Sequence, residues 1–273
     1  MKFFLSLFRF YINASIHVAF AAIALVGVSE FEYHIHVHKA LYVFVFFGVI
    51  TAYNFVKYAK ITGLHHGALA TSVRSIKLFS LVCFAIALYA SLWVSGNVLI
   101  ITFLLALLTF FYAMPLLKFK NLRSMAGFKV FVVAFVWAVI TVLLPLVSAD
   151  EKLNTSVLFT TLQRFLIVFA LIIPFDIRDM RFDAASLKTI PQQLGVQKSK
   201  GLGILLLLTC LLLEIVKGGF VGGYFLSLLM VCILTSAGII RSSIIQKKYF
   251  ASFWIEAIPI VWLMLLLVMS NLF

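Results

Sequence analysis

Residues 97–114 read NVLIITFLLALLTFFYAM and contain no charged side chain. A run of this length is typical of a helix that crosses roughly 30 Å of hydrocarbon. Further apolar runs lie on both sides of it, so the predicted spans are 11–28, 39–58, 76–94, 97–114, 127–147, 156–175, 201–216, 220–240 and 252–272. The sequence therefore predicts an all-α membrane protein, with residues 1–273 forming a single polytopic domain.

The composition excludes an ordinary soluble domain. Of 273 residues, 64% are hydrophobic and only 11% are charged, and the mean hydropathy is +1.16. Lys and Arg outnumber Asp and Glu by 22 to 9. No soluble segment gathers these basic residues into a patch that could bind nucleic acid, so we attribute the excess to membrane topology.

The basic residues are distributed unevenly over the two faces of the predicted bundle. If the N-terminus is inside, four of the 22 fall on the outer side, namely Lys39, Lys152, Arg164 and Lys217. The other 18 fall on the inner side, as the positive-inside rule requires. We therefore predict N-terminus inside and C-terminus outside, in a bacterial inner membrane, with the functional site facing the cytoplasm.

Three aspartates lie close together at the inner end of the sixth predicted span. Asp176, Asp179 and Asp183 are spaced i, i+3, i+7, which places their carboxylates on one helical stripe. Like charges at a helix C-terminus repel one another and oppose the helix dipole, so they favour a bound cation. Mg²⁺ suits such oxygen ligands and is commonly shared with the phosphates of a substrate.

Basic side chains are interleaved with these acids. Arg178, Arg181 and Lys188 suit the remaining oxygens of a phosphate group. Taken alone, the same pattern also fits a solvated loop in which opposite charges form weak local pairs. The charge pattern leaves both interpretations open.

Two segments resemble motifs of a known family. Residues 176–183 (DIRDMRFD), followed by residues 188–191 (KTIP) and Gly195, resemble the second aspartate-rich motif of the UbiA superfamily of intramembrane prenyltransferases. Residues 112–118 (YAMPLLK) resemble the segment after the fourth helix in that family. The resemblance covers nearly the whole chain and implies nine transmembrane helices in a UbiA-like bundle around a central cavity.

The first aspartate-rich motif of that family is degenerate in this chain. It aligns with residues 54–62 (NFVKYAKIT), where Asn54 is retained but Phe55, Tyr58 and Thr62 stand at the acid positions. Basic side chains of the same region could contact phosphate in place of a metal, and they are Lys57, Lys60, His65, His66 and Arg74. Alternatively, they serve only as positive-inside anchors.

The resemblance implies Mg²⁺-dependent transfer of a prenyl group from a polyprenyl diphosphate to an aromatic or other lipid-pathway acceptor, as in quinone biosynthesis. Catalysis and metal binding would fall to Asp176, Asp179 and Asp183. The implied diphosphate-binding residues are Asn54, Lys57, Arg178 and Lys188. Phe and Leu side chains would line an isoprenoid channel, and charge stabilisation in a dry site would let diphosphate depart.

Two other classes of function stay open. A UbiA-like protein that lacks half of its metal ligands could bind an isoprenoid or quinone lipid without transferring a prenyl group. A transporter is the second alternative, but transporters commonly show mid-membrane charges and related repeats, and neither is evident in the sequence.

Charged residues near the other span ends lead to further expectations. Glu30, His34 and His38 would share one helical face, which permits a zinc site, although we favour an interfacial segment. Glu214 and Lys217 are expected to pair with each other.

Two charged residues inside predicted spans are expected to find partners near an interface. Glu256 is expected to pair with a basic residue such as Lys248. Arg164 is expected to extend its side chain to the membrane interface.

Overall fold

The computed structural model describes residues 2–58, 67–113, 128–183, 187–219 and 222–269, and the regular structure within these ranges is helical. Eight helices in them are long and apolar enough to span a membrane: Lys39–Tyr58, Val73–Trp93, Gly96–Ala113, Phe128–Ser148, Thr155–Asp179, Val196–Val216, Gly223–Arg241 and Phe250–Met269. A bent pair, Phe3–Asn13 with Ile16–Glu32, makes nine if it counts as one span. The predicted all-α membrane bundle is confirmed.

We label the helices in chain order: α1 Lys2–Asn13, α2 Ile16–Glu32, α3 Lys39–Tyr58, α4 Gly67–Ala90, α5 Gly96–Ala113, α6 Phe128–Ala138, α7 Leu144–Ser148, α8 Thr155–Asp179, α9 Ile190–Leu194, α10 Val196–Val216, α11 Gly223–Arg241 and α12 Ile258–Met269. A π-helical segment, Val139–Leu143, joins α6 to α7, and a second one, Phe250–Ile255, precedes α12.

The first predicted span begins at the wrong residue. The prediction of one helix over 11–28 fails because α1 and α2 are bent by 55° between Asn13 and Ile16. Ser15 adopts a left-handed conformation with φ 62°, which a straight helix of L-residues does not accommodate. The region of the first predicted span is therefore a bent pair of helices, of which α1 leaves Phe3 and Phe4 more than 70% exposed.

The spanning helices pack into a closed ring. α2 packs against α3 and α12, α8 packs against α6 and α10, and α10, α11 and α12 pack in succession. α5 completes the ring by contacting α3 and α6. Two clusters of buried apolar side chains lie between the helices, and α2 contributes to both of them.

A buried polar group, which we call the Lys217 cluster, ties four helices together at the N-terminal end of α8. Its ion pairs join Lys217 Nζ to Glu32 Oε1 at 2.6 Å and to Glu214 Oε2 at 3.0 Å. The remaining members are Thr160, Gln163 and Tyr224, which complete the hydrogen bonds to the two carboxylates. The predicted pairing of Glu214 with Lys217 is confirmed, and the contribution of Glu32 from α2 is an addition.

The expectation that Arg164 extends to the interface is wrong. Its side chain is 1% exposed and lies inside the bundle. It donates to the Leu25 carbonyl at 2.8 Å and to Ser29 Oγ at 3.2 Å, and it lies 5.0 Å from the ring centre of Trp262. The guanidinium finds enough partners in the interior that it does not need water.

We expect Lys217→Met to destabilise the folded protein by about 3–5 kcal/mol, because it leaves two buried carboxylates unpaired. Burial lowers the pKa of Lys217, but Glu32 and Glu214 outweigh burial and hold this pKa above its ordinary value. The stabilisation is therefore complete at neutral pH and is lost only in strongly alkaline solution. Thermal unfolding in detergent measures the change.

Lys152→Met is the matched control, because Lys152 is exposed in the loop before α8. An equal loss of stability in both variants would contradict a structural role for the Lys217 cluster.

Candidate active site

The C-terminal end of α8 holds a buried ion pair. Asp176 is 1% exposed, and its Oδ1 lies 2.8 Å from Lys129 Nζ. Lys129 belongs to α6, which packs beside α8, and the same Nζ lies 3.9 Å from Asp183 Oδ2. One internal ammonium therefore serves two of the three predicted aspartates. Lys129 was not predicted as a site residue, although a charge inside a predicted span is a signal of function.

The expected convergence of three carboxylates on one point is not found. Asp179 turns to Arg178, whose Nε and Nη2 donate to its two oxygens at 2.7 and 3.1 Å. Because α8 ends at Asp179, Asp183 lies past the helix and the i+7 spacing no longer places it on the stripe. Among the described residues, no group of three His, Cys, Asp or Glu side chains is arranged to hold a metal ion.

The segment after Asp183 holds this aspartate in place. The Gln192 side chain accepts a hydrogen bond from the Thr189 N–H at 2.9 Å and donates to the Asp183 carbonyl at 3.2 Å. Gly195, with φ 78°, lets the chain turn from α9 into α10. Lys188 precedes α9 with an exposed side chain, and no ion pair joins it to the described aspartates.

Two carboxylate oxygens at this end of α8 are buried without a hydrogen-bond partner among the described residues. They are Asp176 Oδ2 and Asp183 Oδ2. Buried oxygens in this state are costly, and a cation would satisfy them. Since Mg²⁺ is commonly bound by one or two carboxylates together with substrate phosphates, these two residues fit one such ion. α3 contains no acidic residue and offers no carboxylate for a second ion.

Lys57 near the end of α3 donates to Ser15 Oγ at 3.2 Å and to the Asn13 carbonyl at 3.5 Å. Its charge interacts with those of Arg178 on α8 and Glu256 after the second π-helical segment. The expectation that Glu256 pairs with Lys248 is therefore wrong, since Lys248 lies over the ring of Tyr249 instead. The other predicted phosphate ligands of this region, Lys60, His65 and His66, lie outside the described residues.

Asn54 is buried beside the junction of α1 and α2. Its Oδ1 accepts from Ser15 Oγ at 2.9 Å, and its Nδ2 donates to the Ala14 carbonyl at 3.0 Å and to Ser80 Oγ at 2.8 Å. Both amide hydrogens are thus used within the protein. In this arrangement Asn54 has no free side-chain N–H for the predicted contact with diphosphate. Its side chain instead fixes the junction of α1 and α2.

At the acid positions of the degenerate first motif, aromatic side chains make packing contacts. Phe55 stacks with Phe110 at a centroid distance of 6.2 Å, and Tyr58 donates its hydroxyl hydrogen to the Asn13 carbonyl at 3.1 Å. The third position, Thr62, lies outside the described residues, as do residues 114–118 of the YAMPLLK segment. Neither described side chain could replace a carboxylate as a metal ligand.

Glu30, His34 and His38 do not form the zinc site that the sequence permits. α2 ends at Glu32, and His34 has φ 51°, so the three side chains do not share a helical face. Glu30 instead accepts from the Val37 N–H at 3.0 Å and from the Tyr42 hydroxyl.

No protein-family model matches this chain, and no curated protein sequence does so. Solved structures match over nearly the full length. A UbiA homologue from Archaeoglobus fulgidus has a TM-score of 0.63 and 13% identity, with 96% of this chain and 99% of that chain covered. The chain has the UbiA fold.

Two further structures share the UbiA fold with this chain. The same homologue bound to GPP and Mg²⁺ has a TM-score of 0.62 and 13% identity, with 96% of this chain and 99% of that chain covered. A structure of digeranylgeranylglyceryl phosphate synthase has a TM-score of 0.58 and 17% identity, with 98% of this chain and 99% of that chain covered. These likenesses confirm the fold that the resemblance implied.

We expect Asn54→Ala to lower the free energy of unfolding by about 1–3 kcal/mol, because buried partners of the amide lose their hydrogen bonds. Thermal unfolding in detergent measures this change, and the exposed Asn97, changed to Ala, is the control. If Asn54→Ala kept full stability and lost only affinity for geranyl diphosphate, the structural role would be wrong.

Proposed function

We propose that this protein transfers a prenyl group from a polyprenyl diphosphate to an aromatic or other lipid-pathway acceptor, with one Mg²⁺ as cofactor. The observation that carries the proposal is the presence, in a UbiA fold, of one oxygen on each of Asp176 and Asp183 that is buried without a hydrogen-bond partner among the described residues. A homologue with this fold was solved with GPP and Mg²⁺, which is further support.

The charges around these oxygens suit a diphosphate group. Lys129 lies against Asp176, Arg178 lies against Asp179, and the charge of Lys57 on α3 interacts with that of Arg178. Basic groups from three helices in one region would attract a multiply charged anion. As the bond between the prenyl carbon and the diphosphate oxygen breaks, negative charge grows on the leaving group. Fixed cations in a site of low dielectric stabilise that charge without having to reorganise. Asp176 and Asp183 would hold Mg²⁺, which supplies further charge stabilisation when bound.

The remaining predicted residues contribute differently. Asp179 orients Arg178 through its two hydrogen bonds, so we assign it a positioning role rather than metal binding. Lys188, which follows Asp183 in the chain, is exposed and could contact the outer phosphate of a bound substrate. The apolar interior of the ring would accept the prenyl chain, which gains dispersion contacts there. Because most basic residues are predicted on the inner side, the site would open to the cytoplasm.

A second candidate is a protein that binds isoprenoid or quinone lipid without prenyl transfer. The absence of any acid from α3 within the described residues favours it, because one side of the site then has no metal ligands. The two proposals differ in one measurable respect, namely whether diphosphate is released.

We expect the purified protein to release diphosphate from labelled geranyl diphosphate in the presence of Mg²⁺ and an aromatic acceptor such as 4-hydroxybenzoate or 1,4-dihydroxy-2-naphthoate. Asp183→Asn should slow release by about 10²- to 10³-fold, because it weakens the stabilisation of leaving-group charge. Asp150→Asn makes the same change in an exposed loop and should have no effect. Binding of geranyl diphosphate by the wild-type protein without any Mg²⁺-dependent release would favour the lipid-binding alternative.

We expect Lys57→Met to weaken binding of geranyl diphosphate by about tenfold, which corresponds to ~1.4 kcal/mol, because one phosphate-facing charge is lost. Isothermal titration calorimetry of the detergent-solubilised protein measures the affinity. Lys39→Met is the matched control, since Lys39 is exposed at the other end of the same helix. Equal affinities of the two variants would remove Lys57 from the diphosphate site.

A further inference from the structure

A hydrogen bond between two aromatic side chains joins α3 to α6. Trp137 Nε1 donates to the Tyr53 hydroxyl oxygen at 2.6 Å, and the two rings meet edge to face with their centroids 6.2 Å apart. In the ring of helices, α5 contacts both α3 and α6, so this hydrogen bond links the two neighbours of α5 to each other. We call Tyr53 and Trp137 the aromatic bridge.

The aromatic bridge lies inside the ring of helices. Trp137 packs against both clusters of buried apolar side chains, and Tyr53 packs against one of them. Along α6 and the segment that follows it, Trp137 lies one turn from Ala134 and from Thr141, which are both 0% exposed. Along α3, Tyr53 lies one turn from Ile50, which is also 0% exposed. Both side chains of the bridge therefore lie on inward-facing parts of their helices.

The backbone around Trp137 holds this side chain in position. The π-helical segment Val139–Leu143 begins two residues after it, and such segments are rare and occur frequently at functional sites. Thr141 Oγ1 donates to the Trp137 carbonyl at 2.8 Å, and Ser29 Oγ of α2 donates to the Thr141 carbonyl at 2.7 Å. The bridge is therefore anchored to α2 as well as to α3 and α6.

A partly uncovered strip of α6 leads from the candidate active site to the bridge. Trp137 follows Lys129 by eight residues, so their Cα atoms lie about 12 Å apart along the helix axis. Val133 lies one turn from each of them, and all three side chains are half-buried. Phe135, on the opposite face of the helix, is exposed. The bridge thus crosses the interior at the far end of this strip.

The length of the strip suits a short prenyl chain. An extended carbon chain advances by roughly 1.2 Å per bond, as the protein backbone does, so a ten-carbon geranyl group reaches roughly 9 Å and a twenty-carbon geranylgeranyl group about twice as far. With the diphosphate beside Asp176 and Asp183, a geranyl group ends before the bridge, whereas a geranylgeranyl group overlaps it. Steric overlap of this kind is a common basis of specificity.

Resting on the proposed function, we propose that the aromatic bridge limits the prenyl donor to a short chain. Tyr53 and Trp137 are then specificity-determining residues, because they close the far end of the space that holds the chain. Longer donors are excluded by overlap with the two rings, and the end of a geranyl chain gains an apolar aromatic contact. The proposal narrows the substrate from polyprenyl diphosphates in general to geranyl diphosphate and shorter donors.

The test compares Trp137→Ala with Phe135→Ala, which removes an aromatic ring from the exposed face of the same helix. Isothermal titration calorimetry of the full-length protein, in detergent with Mg²⁺, measures the affinities for geranyl diphosphate and geranylgeranyl diphosphate. The wild-type protein should bind geranyl diphosphate at least about tenfold more tightly, because the longer chain overlaps the bridge. Trp137→Ala should shift this ratio toward geranylgeranyl diphosphate by about tenfold, since the overlap is removed. Phe135→Ala should keep the wild-type ratio.

Three outcomes would overturn the role of the bridge. They are equal affinity of the wild-type protein for both donors, an unchanged ratio in Trp137→Ala, and an equal shift in Phe135→Ala. Trp137→Phe keeps a smaller ring and should give a smaller shift, and it decides the matter if thermal unfolding shows that Trp137→Ala does not fold.

The same titrations separate this inference from the proposed function. If the wild-type protein binds neither donor, the proposed function fails and the role of the bridge fails with it. If the protein binds geranyl diphosphate but releases no diphosphate, prenyl transfer is rejected, and the ratio of affinities still decides whether the bridge selects chain length.

Discussion

The ion pair between Lys129 and Asp176 is the constraint on which the candidate site depends. A carboxylate that is 1% exposed cannot stay ionised in the interior unless a partner compensates for its lost hydration, and Lys129 does so at 2.8 Å. The pair also joins α6 to α8 at the level where the aspartate-rich segment begins. Because Lys129 contacts only one oxygen of Asp176, the other oxygen stays without a partner, and the pair leaves room for a cation that brings its own phosphate ligands.

The two ends of α8 show how the same kinds of residues serve different purposes. At its N-terminal end, both acids of the Lys217 cluster are paired with Lys217 and hydrogen-bonded, so the cluster links α2, α8, α10 and α11. At its C-terminal end, Asp176 and Asp183 each keep one buried oxygen without a hydrogen-bond partner among the described residues. Carboxylates that are paired and hydrogen-bonded mark the structural end of α8. Carboxylates with a buried oxygen that lacks a hydrogen bond mark the candidate active site at its other end.

Much of the fold follows from local sequence, because a run of apolar residues long enough to cross a bilayer has few alternatives to a helix. The aspartate-rich segment could be located for a similar reason, since clustered like charges at a span end need compensation. The groups that compensate these charges are set by the tertiary structure. The sequence does not show that α6 places Lys129 against Asp176, that Asp179 turns to its neighbour Arg178, or that Lys248 lies over the ring of Tyr249. The bend at Ser15 was missed because Asn13, Ala14 and Ser15 interrupt the apolar pattern only briefly.

The most direct test of the central claim is a crystal structure of the protein with geranyl diphosphate and Mn²⁺ in place of Mg²⁺, with the metal located by its anomalous scattering. The account predicts one metal peak, bound by the carboxylates of Asp176 and Asp183, with the diphosphate between that metal and Lys57. A metal bound elsewhere, or a diphosphate bound away from the end of α8, would contradict it.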